Sequence, residues 1–140
     1  MADVNSKPKL SGLAKSLGIE IQDFGIGVCA VSAQVSSNHL NAGGVAHGGL
    51  HATMLDTALG GALVSMIKKE EWCATAQLDI SYLNPAYEGM NLIAEGKVLR
   101  RGKNIAHCEG TLSNSEGQVI ATGKGTWVIW KAKPSSLKSN

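Results

Sequence analysis

One carboxylate breaks an otherwise apolar run. Asp56 sits among Leu50, Ala52, Met54, Leu55, Ala58, Leu59, Ala62, Leu63, Met66 and Ile67. Burying a carboxylate is costly unless something satisfies it. It either reaches solvent or a neighbouring backbone group, or it serves as a general base or nucleophile tuned by partial desolvation. Just upstream lies Gly48-Gly49. A glycine pair there is a common turn into a helix. It is also a place where free backbone N–H groups and the positive end of a helix dipole meet, an oxyanion site. Gly49 and Asp56 fall on one face of a helix, roughly 10 Å apart along its axis. A reacting carbon must lie about 3 Å from both its nucleophile and its oxyanion donors. One helix cannot supply both to one carbonyl, whereas two antiparallel helices from two copies of the chain can.

Other groups carry weaker signals. His47 and His51 have a spacing that suits a metal on a helix, and His39 lies close by. There is no H-E-x-x-H, and His47 precedes the helix, so neither a metal nor another cofactor is expected. Cys29, Cys73 and Cys108 are odd in number, widely spaced and without a C-x-x-C pair. A disulfide framework is not expected, and a reducing cytoplasm fits. Cys29 and Cys108 read as core. Arg100, Arg101 and Lys103 cluster at a hairpin, as a solvated turn guarding a sheet edge or as a phosphate-binding group.

These residues need elements to hold them. The run containing Asp56 predicts a helix from about Gly49 to about Lys68, roughly 30 Å long. It is apolar almost all round and so should be buried on most sides, with Lys68 and Lys69 suiting the negative end of its dipole. A short helix is expected over Leu10–Leu17, with Leu10, Leu13, Ala14 and Leu17 on one face. Ile19–Phe24 alternates, and Ile26–Val35 reads as a strand. In Ala74–Asn84, Ala74, Ala76, Leu78, Ile80 and Tyr82 alternate with Thr75, Gln77, Asp79 and Ser81. Met90–Arg101, Lys103–Asn114 and Val119–Trp130 complete the set, joined by turns. The expected order is strand, long helix, then four strands in hairpin succession. That is an α+β domain in which a curved antiparallel sheet wraps a central helix. Its bare edge and outer face invite a second copy. Residues 1–9 read as a flexible leader, 10–131 as one domain and 132–140 as a flexible tail.

Totals narrow the class. A net charge of +2 argues against a nucleic-acid or membrane-surface partner. No run reads as a membrane span, and the first residues lack a signal peptide's apolar stretch.

Asn41-x-x-Gly44-x-x-His47-Gly48-Gly49, followed by Asp56, resembles the signature of the PaaI-like acyl-CoA thioesterases of the hotdog-fold superfamily. His39 before the Asn, the segment Thr75–Pro85 and the hairpin Val98–Lys103 are similar to that family as well, and the likeness runs from Leu17 to Trp130. The resemblance implies a hotdog fold and hydrolysis of an acyl-CoA thioester. It makes Asp56 the catalytic carboxylate and Gly48 the N–H donor to the thioester carbonyl. Gly49, beside that donor, is expected to bind substrate, and Asn41 and His47 line the carbonyl. Thr75 matches a hydroxyl that places water, and Arg100, Arg101 and Lys103 a CoA-phosphate contact. It also implies a homodimer as the minimal unit, assembled into a homotetramer. Ala42 departs from the pattern, since many members carry a larger residue there.

Two rival functions share the fold. An acyl-thioester dehydratase or hydratase also uses a carboxylate and a histidine, but its D-x-N-P-x-H type motif is missing. A non-catalytic acyl-CoA binding protein is the other. A sensor of that kind would normally carry a DNA-binding module, for which 140 residues leave no room beside this domain.

Overall fold

The computed structural model describes residues 7–137; residues 1–6 of the expected leader and 138–140 of the expected tail lie outside the described residues. Short helix α1 (Gly12–Ser16) leads into strands β1 (Glu20–Gly25) and β2 (Val28–Gln34). Helix α2 (Gly48–Val64) follows, then β3 (Trp72–Tyr82), β4 (Asn91–Arg101), β5 (Ile105–Asn114) and β6 (Val119–Trp130). All pairings are antiparallel, in one six-stranded sheet of order β1-β2-β4-β5-β6-β3. Helix α2 touches every strand, so the sheet wraps it in the hotdog arrangement. Among the described residues no helix is long and apolar enough to cross a membrane.

A row of glycines lets the helix sink into the sheet. Gly96, Gly110 and Gly123 are register partners across β4, β5 and β6. A Cβ on Gly96 would stand 2.7 Å from the carbonyl carbon and oxygen of Ala58. One on Gly110 would stand 2.5 Å from Leu59 Cδ1. Leu50, Met54, Leu55, Ala58, Leu59, Ala62 and Leu63 fill the interior that this approach creates.

The structure corrects five expectations. Ile19–Phe24 belongs to a sixth strand, β1, so two strands precede the helix. Hairpin succession holds for β4-β5-β6 but not for β3, which crosses to the far edge and pairs with β6. Its exit is tied there: the N–H groups of Leu83 and Asn84 donate to Ile120 O, and Asn84 Nδ2 donates to Val119 O. The chain then returns to the end of β2 through Gly89 N–H to Val35 O and Val35 N–H to Met90 O. The long helix ends at Val64, short of Lys68. There Ser65 Oγ donates to Ala62 O and accepts from Gly27 N–H, competing with further helical turns. Lys68 and Lys69 therefore lie past the last helical turn, which holds no basic residue. Finally, α2 is not buried on most sides. Thr53, Asp56, Thr57, Gly60 and Val64 remain half-exposed along one flank. In the short helix, Leu10, Ala14 and Leu17 pack on the core while Leu13 faces solvent.

Candidate active site

The open flank of α2 runs beside edge strand β3, and two hydrogen bonds join them. Thr75 Oγ1 donates to Asp56 Oδ1 at 2.7 Å. Tyr82 Oη donates to Gly48 O at 2.8 Å. Simple alternation would put Thr75 on the face of Gln77 and Asp79. A β-bulge at Ala76 shifts the register, pairing Thr75 with Trp127 and Gln77 with Thr126. Thr75 thereby joins Leu78, Ile80 and Tyr82 on the helix side. Bulges re-aim side chains in this way, and strict period-2 reading misses them.

The helix start is built around its two glycines. His47 is the N-cap, and its Nδ1 accepts from Gly49 N–H at 2.7 Å. Leu50 N–H donates to His47 O. The first turn is thus closed except at Gly48, whose N–H has no acceptor among the described residues. Because Nδ1 accepts, a neutral His47 carries its proton on Nε2 and presents a donor there. Each glycine has its own reason. A Cβ at Gly49 would lie 2.8 Å from His47 Nδ1, and one at Gly48 would lie 3.1 Å from Tyr82 Cε1.

Asn41 organises the approach to this turn. Its Oδ1 accepts from the N–H groups of Gly43 and Val45, and its backbone N–H donates to Val45 O. The side-chain NH₂ has no partner among the described residues. His39 is buried and fully used. Its Nδ1 accepts from Ser36 N–H, so its Nε2–H donates to Leu17 O at 2.8 Å. His51 is 3% exposed, and neither ring nitrogen has a partner among the described residues. Burial, reinforced by nearby His47, pushes its pKa below the usual value. Its ring lies against Tyr82, with centroids 5.8 Å apart.

The basic hairpin is divided. Arg101 Nη2 lies 2.5 Å from Glu71 Oε1 and is largely enclosed. Glu71 is buried and also accepts from Lys68 N–H. Burial pushes the Glu71 pKa up, but the bonds from Lys68 N–H and Arg101 outweigh it and hold it below the usual value. Arg100 and Lys103 stay exposed. The cysteines are buried free thiols, raised by burial to about 11 for Cys29 and Cys73 and about 12 for Cys108. Such thiols are poor nucleophiles at neutral pH.

Asp56, Thr75, Gly48 and His47 therefore share one flank. Gly49 donates inward to His47, and Arg101 is committed to Glu71. Asp56 and Gly48 of one chain remain about 12 Å apart along α2. Two grooves of about 480 and 400 Å³ run over the outer face of the sheet, and neither is lined by these residues. Tyr82 was missed by sequence reasoning. Its available signal was its place on the strand that also carries Thr75.

The profile of the thioesterase superfamily matches residues 43–121, which include Gly48, Asp56 and Thr75. Acyl-coenzyme A thioesterase 13 of Homo sapiens is 33% identical over 94 residues, covering 66% of each chain. The PaaI protein from the phenylacetic acid degradation operon of E. coli superposes with a TM-score of 0.77 at 27% identity, over 82% of this chain and 81% of that one. The smu.793 protein of Streptococcus mutans UA159, solved bound to acetyl-CoA, gives 0.75 at 25% identity over 83% and 91%.

Proposed function

This chain belongs to the thioesterase superfamily and is a thioester hydrolase, and from that premise we propose that it cleaves acyl-CoA thioesters in a site shared by two chains. The observation that carries this reading is the pairing of a restrained carboxylate with an unpartnered helix-start amide. Thr75 fixes Asp56 through Oδ1, which leaves Oδ2 to take a proton from water. That water attacks the thioester carbon. The carbonyl oxygen becomes an oxyanion held by Gly48 N–H, with His47 Nε2–H and the Asn41 NH₂ beside it. Collapse breaks the C–S bond, and the sulfur leaves with the proton from Asp56, giving free acid and CoA thiol.

Gly48 and Asp56 of one chain are too far apart to serve one carbonyl. The half-exposed flank of α2 and the edge of β3 that is unpaired among the described residues supply a surface for a second copy, whose antiparallel helix would set its Gly48 opposite Asp56. Exposed Arg100 and Lys103, beyond the C-terminal end of α2, suit the CoA phosphates. The acetyl-CoA-bound neighbour supports the substrate class.

A thiol-release assay over a panel of acyl-CoAs tests the reading. Asp56→Asn should keep the fold and lose about 10²-fold or more in turnover; near-wild-type turnover would make Asp56 structural. Subunit mixing tests the shared site. Asp56→Asn and Gly48→Val should each be inactive. In a mixed dimer one site collects both defects and the other neither, so about half the wild-type activity returns. Confirmed heterodimers as inactive as their parents would overturn the two-chain arrangement.

A further inference from the structure

The first turn of α2 begins with two glycines, which have no side chains to hold it. From within the turn His47 Nδ1 takes the Gly49 N–H. From outside, among the described residues, the one hydrogen bond to Gly48 from another element is that of the Tyr82 hydroxyl on its carbonyl oxygen. The Tyr82 ring also packs against the Gly48 Cα, where any Cβ would meet Cε1, Cζ and Oη at 3.1–3.2 Å. Beneath it lies the buried His51 ring. Gly48 is thus pinned on both sides. His47 Nδ1 accepts from the N–H of the Gly48–Gly49 peptide, and the Tyr82 hydroxyl donates to the carbonyl oxygen of that same peptide. Rotation about the Gly48 dihedrals, the freest in any residue type, would swing the unpartnered N–H.

We infer that Tyr82 is a positioning residue for the oxyanion amide: by holding the Gly48 carbonyl its hydroxyl restrains rotation at Gly48, so that the Gly48 N–H stays aimed at a bound thioester oxygen. The inference rests on the function proposed above. It also gives β3 a double duty. The bulge at Ala76 puts Thr75 and Tyr82 on one face, so a single edge strand restrains both the carboxylate and the oxyanion donor. A hydroxyl that acts only through the Gly48 peptide matters most where charge develops on the carbonyl oxygen. Its loss therefore lowers kcat and leaves ground-state binding nearly intact.

The test compares wild type, Tyr82→Phe, Tyr82→Leu and Asp56→Asn on the same acyl-CoA panel, with amide hydrogen exchange on the free proteins. Tyr82→Phe keeps the ring on Gly48 and His51 and removes only the bond to the carbonyl. It should lower kcat about 10-fold with KM within about 2-fold, a loss on the scale of slight misplacement of a reacting group. The amides of the first α2 turn should exchange faster than in wild type, with the melting temperature unchanged. Tyr82→Leu, which also removes the ring, should lose more in kcat. Wild-type kcat and first-turn exchange in Tyr82→Phe, while Asp56→Asn is inactive, would overturn the inference and leave the proposed function standing. Equal absence of acyl-CoA cleavage in wild type and Asp56→Asn would instead overturn the proposed function. In that case the exchange data alone decide whether Tyr82 holds the Gly48 peptide.

Discussion

The two sides of α2 are built on opposite rules. Toward β4, β5 and β6 the helix is sealed, with Ala58, Leu59 and Leu55 seated over the glycine row Gly96-Gly110-Gly123. Toward β3 it is half-exposed and held by two hydrogen bonds from an edge strand. Glycine serves both sides, for different reasons. In the sheet it admits a helix backbone; at Gly48 and Gly49 it admits the side chains of Tyr82 and His47 and leaves an amide uncovered. One side concentrates stability and the other presents polar groups, and the two should respond separately to substitution.

The sealed side should give the largest effect. Gly96→Val pushes a branched side chain into the Ala58 carbonyl, which cannot yield without moving the whole helix. We expect a cost of about 3 kcal/mol, the upper range for overpacking, and a melting temperature lower by about 10 °C. A Gly96→Val protein that melts like wild type would erase the distinction between the two sides.

The hairpin offers the next contrast, between neighbours that sequence alone treats alike. Arg101→Ala strands buried Glu71 without its cation. Because Arg101 keeps some solvent contact, we expect about 2 kcal/mol, below the range for a fully buried pair. The pair's contribution depends on acidity. The folded pKa of Glu71 is depressed, so the stabilisation is present above the unfolded value of about 4.5 and is lost as pH falls through the folded value. Arg100→Ala with Lys103→Ala should leave stability unchanged, raise KM for acyl-CoA a few-fold and weaken its salt dependence. Equal melting temperatures for Arg101→Ala and the Arg100/Lys103 double variant would rejoin what the structure separates.

Thr75→Ala tests the open side by itself. It removes one exposed hydrogen bond to Asp56, so melting should move by no more than about 2 °C. The carboxylate loses its restraint, and kcat should fall about 10-fold. A fall in stability without a fall in kcat would place Thr75 with the packing residues.

How much of this was legible follows from where each signal lies. The long helix, the strand Val119–Trp130 and the meander of β4, β5 and β6 show in local periodicity and turn residues. Gly48 and Asp56 stand out because a glycine pair and a mid-helix carboxylate are locally odd. The crossing of β3 was hidden, because it depends on bonds from Leu83 and Asn84 to a strand more than 30 residues later. The bulge at Ala76 was hidden because nothing in Ala74–Asn84 interrupts alternation. The split of Arg100 from Arg101 required knowing that Glu71, distant in sequence, is buried beside Arg101. Tyr82 needed both the bulge and the crossing before it could be seen beside Gly48.

His51 stands where the two sides meet, and it yields the smallest and most specific prediction. It is as buried as the core leucines, yet its ring nitrogens have no partner among the described residues, and it lies against Tyr82. Burial first, and His47 second, lower its folded pKa from about 6.5. Above that value the ring is neutral in both states and contributes no pH dependence. Below it the unfolded chain takes up a proton that the folded chain refuses. Stability therefore falls as pH drops from about 6.5 toward the folded pKa, and then levels. Other groups titrate in the same interval, so the comparison must be with a variant lacking only this ring. His51→Leu keeps similar bulk without buried polar atoms, and at pH 7.5 it should be at least as stable as wild type. Between pH 7.5 and 5.5 its melting temperature should fall less than that of wild type. Parallel curves for the two proteins would show that the folded chain accepts the proton after all. The ring would then have to be charged and compensated at the junction between the sealed and open sides, and the unpartnered burial described here would not hold under Tyr82.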